Sequence, residues 1–242
     1  MTANISLQRS KNILAQVLDL ALPAACLGCG GRMESPRQLL CGQCQAEVLP
    51  ISEGYCVKCG SLLQEDDCPQ CKETEFAFDL ARSAYAFTGS IQALVHSFKY
   101  DGFRSAAGFF ARSLLEIPDS AMLEQGFDLV TAVPLHRVRR RERGFNQSEL
   151  IARQLAKSLA LPYSEPVYRR YNTPSQTLLS RGERIRNLHR AFALRRGAAV
   201  EGKNIILVDD VFTTGSTVNE ISALLKANGA MKVMVLTAAR AV

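Results

Sequence analysis

All eight cysteines of this chain fall within its first 71 residues, and every one belongs to a C-x-x-C pair: Cys26/Cys29, Cys41/Cys44, Cys56/Cys59 and Cys68/Cys71. A C-x-x-C turn points two thiolates at one centre, and two such turns complete a tetrahedral zinc site. The first pair reads C-L-G-C-G and the third C-V-K-C-G, and each is followed by a second pair. This duplication predicts a double zinc ribbon over residues 26–76, with 26/29 joined to 41/44 and 56/59 joined to 68/71. A cross-braced arrangement, first pair with third and second with fourth, uses the same ligands. Disulfides would require an oxidising compartment, and four copies of the pair are too many for one redox centre. Four thiolates per ion leave no open coordination position, so the two zinc ions are read as structural. A segment of about fifty residues with few large apolar side chains buries too little surface to offset chain entropy. Zinc binding, about 10–16 kcal/mol per site in finger peptides, makes up the deficit.

Ahead of the cysteines, Arg9 and Lys11 precede an apolar stretch ending at Cys26, an arrangement that imitates an export signal. Gln16 and Asp19 interrupt its would-be apolar core, and Pro23 replaces an expected branched residue. Ile13, Leu14, Val17, Leu18 and Ala21 recur instead at helical spacing, which predicts an amphipathic helix within residues 1–25. The expected location is the cytoplasm. No apolar run approaches the roughly 18 residues of a membrane span.

The charge changes sign after the cysteines. Residues 1–76 carry 6 basic and 9 acidic side chains, and residues 77–242 carry 23 and 14, for nets of −3 and +9. The basic part points to anionic partners: nucleotides, phosphates or nucleic acid. With 16 Gly and 9 Pro in 242 residues, collagen-like and low-complexity classes are excluded. From residue 77 onward, apolar strands (80–87, 128–133, 204–209, 231–237) alternate with amphipathic helices (90–99, 104–116, 146–160, 216–228). That alternation predicts an α/β domain over 77–242, a parallel sheet with helices on both faces. Ligands of such sheets bind where strand ends lead into helices.

One junction is specific. Residues 205–217 read I-I-L-V-D-D-V-F-T-T-G-S-T: an all-apolar strand delivers Asp209 and Asp210, and a hydroxyl-rich loop with Gly215 opens a helix. Backbone amides and the helix dipole converge there on an anion. Neither a Walker loop nor a dinucleotide fingerprint is present. The plainer alternative is an Asp turn and a Ser/Thr helix cap. The run resembles the 5-phosphoribosyl-1-diphosphate (PRPP) signature of type I phosphoribosyltransferases. That likeness implies that Asp209 and Asp210 hold the ribose hydroxyls and help bind magnesium through water. Val211, Thr213, Thr214, Gly215, Ser216 and Thr217 would line the 5-phosphate.

A second segment, V-T-A-V-P-L-H at 130–136, continues as R-V-R-R-R-E-R-G-F-N-Q. In the related transferases this post-strand loop contacts pyrophosphate, which implies roles for Val133, Pro134 and Leu135. Arg137, Arg139, Arg140, Arg141 and Arg143 offer counter-charge for a diphosphate or nucleic acid. At least three of them read as solvated loop charges, with Arg143 the ligand contact. His136 reads as structural or peripheral. A third segment, T-P-S-Q-T-L-L-S-R at 173–181, lies where related transferases keep a mobile loop over PRPP. Gln176, Arg184 and Asn187 there, with Lys99, are the substrate-facing candidates; a salt-linked surface helix over 180–188 is the other reading.

Taken in order, the cysteine pairs, H-S-F-K-Y at 96–100, R-G-F-N-Q at 143–147, Q-x-x-L with R-x-x-N at 176–187 and V-D-D-V-F-T-T-G-S-T resemble the ComF/GntX family. The family resemblance implies a cytosolic protein that handles imported single-stranded DNA, with the DNA-uptake machinery as a further partner. Basic–aromatic neighbours at Phe98-Lys99-Tyr100, Arg143-Gly144-Phe145 and Tyr168-Arg169-Arg170-Tyr171 suit DNA contact, or are core aromatics flanked by solvated charge. An active phosphoribosyltransferase with an unidentified acceptor is the alternative function.

Overall fold

The two most apolar segments of the second part, I-I-L-V at 205–208 and V-M-V-L at 233–236, lie side by side at the centre of a parallel sheet. Strands buried on both faces have no polar side to present, which is why they read as unbroken apolar runs. The computed structural model describes residues 24–33, 35, 38–63, 67–123, 126–171 and 191–242. The N-terminal helix expected within residues 1–25 lies almost wholly outside the described residues.

Four strands, β1 (Leu80–Ala86), β2 (Leu129–Ala132), β5 (Asn204–Phe212) and β6 (Lys232–Arg240), form the sheet in the order β1-β6-β5-β2. Every neighbouring pair is parallel. β3 (Val167–Arg169) and β4 (Phe192–Leu194) make a separate antiparallel pair. Alternate residues of the central strands feed two cores. Ile206, Val208, Met234 and Leu236 join one, and Ile205, Leu207, Val233 and Val235 join the other.

Helices α3 (Gly89–Tyr100), α4 (Ala106–Leu115) and α6 (Gln147–Ser158) cover the first face. α3 buries Ile91, Leu94, Val95 and Phe98, the stripe that a 3.6-residue period places toward a core. α7 (Ser216–Ala227) covers the second face with Val218, Ile221 and Leu225. Two five-residue helices, α1 (Gly42–Ala46) and α2 (Pro69–Glu73), follow the second and fourth cysteine pairs' leading residues. Among the described residues no helix is long and apolar enough to cross a membrane.

Two features depart from the sequence reading, and a third goes beyond it. The basic stretch after β2 is not a loop but a short helix, α5 (Arg137–Arg143). His136 caps it, accepting Val138 N–H through Nδ1 at 3.3 Å, and Gly144 ends it at φ 75°. β5 does not stop at Asp209 but pairs with β6 as far as Phe212↔Arg240. The cysteine-rich part also shares its cores with the rest. Cys26, Met33, Leu40 and Cys44 belong to the first cluster, and Cys56 and Cys59 to the second. The chain between the two tetrads and the third cysteine pair run along β1: Ile51 N–H donates to Ala84 O at 3.0 Å and Ala81 N–H to Lys58 O at 2.8 Å. An otherwise open sheet edge is thereby covered.

Candidate functional site

The eight thiols gather into two tetrads, Cys26/Cys29/Cys41/Cys44 and Cys56/Cys59/Cys68/Cys71, each with sulfurs within 4.8 Å of one another. The pairing is sequential, not cross-braced. A tetrahedron with Zn–S bonds of about 2.3 Å has edges of about 3.8 Å. The sulfur separations match: 3.8 Å for Cys29–Cys41, 3.7 Å for Cys56–Cys71 and 3.5 Å for Cys59–Cys68. Backbone N–H groups aim at the sulfurs, Cys41 N–H and Gly28 N–H reaching Cys26 Sγ at 3.2 and 3.3 Å. Burial opposes ionisation of Cys26, yet these donors pull its thiol down to about 6. Cys56 falls to about 7 in the same way, whereas burial and the neighbouring thiols push Cys71 up. Four thiolates in such a space require a cation, and this all-sulfur donor set fits zinc.

At the other site, β5 carries Asp209 and Asp210 past the level of the β2 terminus. Asp209 Oδ1 accepts from Ser148 Oγ at 2.8 Å and from Asp210 N–H at 2.9 Å. Burial first, and the Asp210 charge second, push the Asp209 carboxyl up to about 7 despite those bonds. Asp210 Oδ2 pairs with Lys99 Nζ at 2.8 Å, with the two side chains 15% and 21% exposed. One carboxylate therefore meets an internal cation, and the other sits where burial and its neighbour favour the protonated form.

The R-G-F-N-Q stretch turns out to frame this pair. Asn146 Nδ2 donates to Val133 O at 2.9 Å, fixing the backbone that leads to Pro134 and Leu135. Gln147 Nε2 donates to Lys99 O at 3.3 Å and to Phe98 O at 3.5 Å, holding the end of α3 from which Lys99 reaches Asp210. Arg143 Nη1 donates to Gln147 Oε1 at 3.4 Å, and its guanidinium lies 5.1 Å above the Tyr100 ring. The sequence reading names Asn146 and Gln147 only as part of R-G-F-N-Q and does not name Ser148. A polar run that stays buried at the start of an amphipathic helix was the available signal, since all three are at most 6% exposed.

After Phe212 the chain turns through Thr213, Thr214 and Gly215 into α7. The Thr214 and Ser216 hydroxyls lie 2.7 Å apart, and Ser216 N–H reaches Thr214 Oγ1 at 3.4 Å. Asn219 N–H donates to Gly215 O. The first-turn amides of Thr217 and Val218 have no acceptor among the described residues, as is usual for a helix start that can receive an anion. Gly215 is buried at φ +74°, and an added Cβ would lie 2.4 Å from Phe212 Cζ. The glycine is required by its own left-handed backbone and by Phe212. Val211 packs half-buried against the first core.

Of the five arginines after β2, Arg137, Arg140 and Arg141 are exposed, while Arg139 and Arg143 are half-buried. Glu149 takes Arg140 at 2.9 Å and Glu142 takes Arg139 at 3.5 Å. Phe98 and Phe145 are 0% and 8% exposed and belong to the core, so they offer no stacking face; Tyr100 and Tyr171, at 60% and 59%, do. Arg169, near enough to Asp209 and Glu220 for their charges to offset part of its burial, was not anticipated as a neighbour of the acids. Gln176, Arg184 and Asn187 lie outside the described residues.

Residues 17–75 match the family model of the double zinc ribbon domain, and residues 146–241 that of the phosphoribosyl transferase domain. Competence protein F of Haemophilus influenzae is 33% identical over 223 residues, spanning 89% of this chain and 96% of that protein. The DNA utilization protein YhgH of Escherichia coli is 32% identical over 222 residues, with the same two coverages. Competence protein ComFC of Bacillus subtilis is 28% identical over 201 residues and 80% of each chain. With a double zinc ribbon, a phosphoribosyltransferase-type sheet and likeness to competence protein F along nearly its whole length, the chain belongs to the ComF family.

Proposed function

We propose that this chain binds PRPP with magnesium at the β5–α7 junction and serves in the handling of imported single-stranded DNA in the cytoplasm. The observation that carries the reading is the junction itself. A carboxylate pair and a hydroxyl-rich turn into a helix meet in one chain whose relatives are named for competence and DNA utilization. Neutral or purely DNA-binding chemistry gains nothing from two acids beside an anion-receiving helix start. The turn Thr213–Thr217 would take the 5-phosphate, and Asp209 and Asp210 the ribose hydroxyls. The backbone at Val133–Leu135, with Arg143, would face the diphosphate. Magnesium, when bound, screens the diphosphate charge and fits beside these acids through water. Departure of pyrophosphate leaves positive charge on the ribose, which the Asp209–Asp210 pair is positioned to stabilise. Transfer to an unidentified acceptor, without a DNA role, is the second reading, favoured by the same acids. Isothermal titration with PRPP and magnesium, with and without single-stranded DNA, tests both. Absence of PRPP binding overturns the reading.

We also propose two structural zinc ions per chain, one in each tetrad. Elemental analysis of the purified full chain is expected to return two equivalents. One equivalent or none would contradict the two-site assignment.

For the DNA, the surface offered is α5 with Tyr100 and Tyr171. Affinity should fall with salt at a log–log slope of about −0.7 per contacted phosphate on single strands. Among the described residues Arg137 and Arg141 form no ion pair, unlike Arg139 and Arg140. Arg137→Glu with Arg141→Glu is therefore expected to weaken binding and flatten that slope. An unchanged slope would move the DNA to another surface.

A further inference from the structure

Gln70, inside the fourth C-x-x-C pair, reaches both the second metal tetrad and the phosphate turn. Its Oε1 accepts from Arg240 Nη2 at 2.8 Å and from Ser61 Oγ at 3.1 Å, and Cys59 Sγ lies 3.8 Å away. Its Nε2 donates to Thr213 O at 3.3 Å. Arg240, at the end of β6, is 1% exposed. Its Nη1 donates to Cys59 O at 2.6 Å, and its guanidinium lies 4.4 Å above the ring of Phe212. That ring is the one against which Gly215 is packed. A third link joins the chain leaving α2 to α7: Ala77 N–H donates to Asn219 Oδ1 at 2.7 Å and Asn219 Nδ2 to Glu75 O at 3.4 Å.

A buried guanidinium needs compensating charge. A four-thiolate site is net negative even with a divalent cation in it, and Arg240 lies against it through Cys59 O. The first tetrad is wired differently. Its backbone donors to sulfur are Gly28, Gly31 and Cys41 of its own ribbon, Ser90 of α3 bonds Cys44, and none of its described bonds reaches residues 209–219.

The geometry points to unequal metal sites: the second ribbon is the support of the phosphate turn, with Gln70 and Arg240 as its positioning residues. The four thiols of the second tetrad, with metal bound, would fix Cys59 O and Gln70. These orient Arg240, and Arg240 with Gln70 holds Phe212 and Thr213 O from behind. The ligand consequence rests on the PRPP reading of the turn; the mechanical one does not.

Hydrogen exchange of peptides covering 209–219, measured on the full chain, tests the support directly. Gln70→Ala removes the donor to Thr213 O at a half-buried site and spares every cysteine. It is expected to speed exchange of that peptide roughly fivefold or more, fivefold matching the one neutral bond to Thr213 O and the lost acceptor for Arg240 Nη2 adding to it. PRPP affinity should weaken by about the same factor, with two zinc equivalents retained and exchange in the first ribbon unchanged. Cys68→Ser and Cys29→Ser should each lose one zinc equivalent, and only the former should loosen the turn. Parent-like exchange in Gln70→Ala, or equal loosening by Cys29→Ser, overturns the proposal. Failure of the parent to bind PRPP would instead remove the ligand reading, with the exchange comparison still deciding the support.

Discussion

A chain carrying Asp209→Asn and Asp210→Asn is expected to lose PRPP binding in calorimetry while melting no lower than the parent at pH 8. Relief of the burial and like-charge cost at Asp209 offsets what Lys99 loses when its charged partner at 210 is removed. Asn at 209 still accepts from Ser148 Oγ and from the following N–H through Oδ1, the atom that takes both bonds in the parent. At 210 it gives Lys99 a neutral partner in place of a charged one. What is lost is acceptance by two carboxylates of two ribose hydroxyls. Each hydroxyl left unpaired in a desolvated site costs about 1–3 kcal/mol, so the pair corresponds to roughly thirtyfold or more in affinity.

The stability half of that expectation has a definite sign. Burial and Asp210 raise the folded Asp209 carboxyl from 3.8 to about 7. The folded chain therefore holds this proton more tightly than the unfolded chain, and stability falls as pH rises from about 4 to about 7. Asp209→Asn removes that slope, so its advantage over the parent should be absent near pH 4 and complete above pH 7. Urea titrations at several pH values read it out. Parent-like PRPP binding by the double variant would reduce the junction to a helix cap.

The sheet was legible because its cause is local. Four apolar runs and four amphipathic periods fall within a few residues of the observed strands and helices, and the two tetrads follow from cysteine spacing. The acids and the turn were legible for the same reason, being contiguous. What escaped was set by partners distant in sequence. β5 continues through two aspartates because β6 supplies a ladder to Phe212, a fact no window around residue 209 contains. α5 escaped because R-V-R-R-R-E-R has no apolar period; its signals were the cap at His136 and the left-handed Gly144. Gln70 and Arg240 meet across 170 residues of chain. Their role is visible only once the ribbon is docked, and that docking places cysteines of both tetrads in the cores of the sheet.

Gly215→Val is expected to destabilise the chain by about 2–5 kcal/mol, and the reason is internal to the turn. A left-handed backbone costs an L residue about 1–2 kcal/mol, and overpacking adds about 1–3. Both apply, because Gly215 sits at φ +74° and its Cβ would come 2.4 Å from Phe212 Cζ and 3.0 Å from Phe76 Cε1. Phe212 cannot withdraw. Arg240 lies over its ring, and Phe76 and Phe78 meet it edge-on with centroids at 6.3 and 6.2 Å. The two costs separate in a double-mutant cycle with Gly215→Ala and Phe212→Leu. Trimming the ring should recover the overpacking part of the alanine penalty and leave the backbone part in place. PRPP binding should fail in Gly215→Val even at temperatures where the chain stays folded, because the turn amides are displaced with the strand end. A Gly215→Val chain as stable as the parent would mean that residue 215 does not hold the left-handed conformation on which the turn is built.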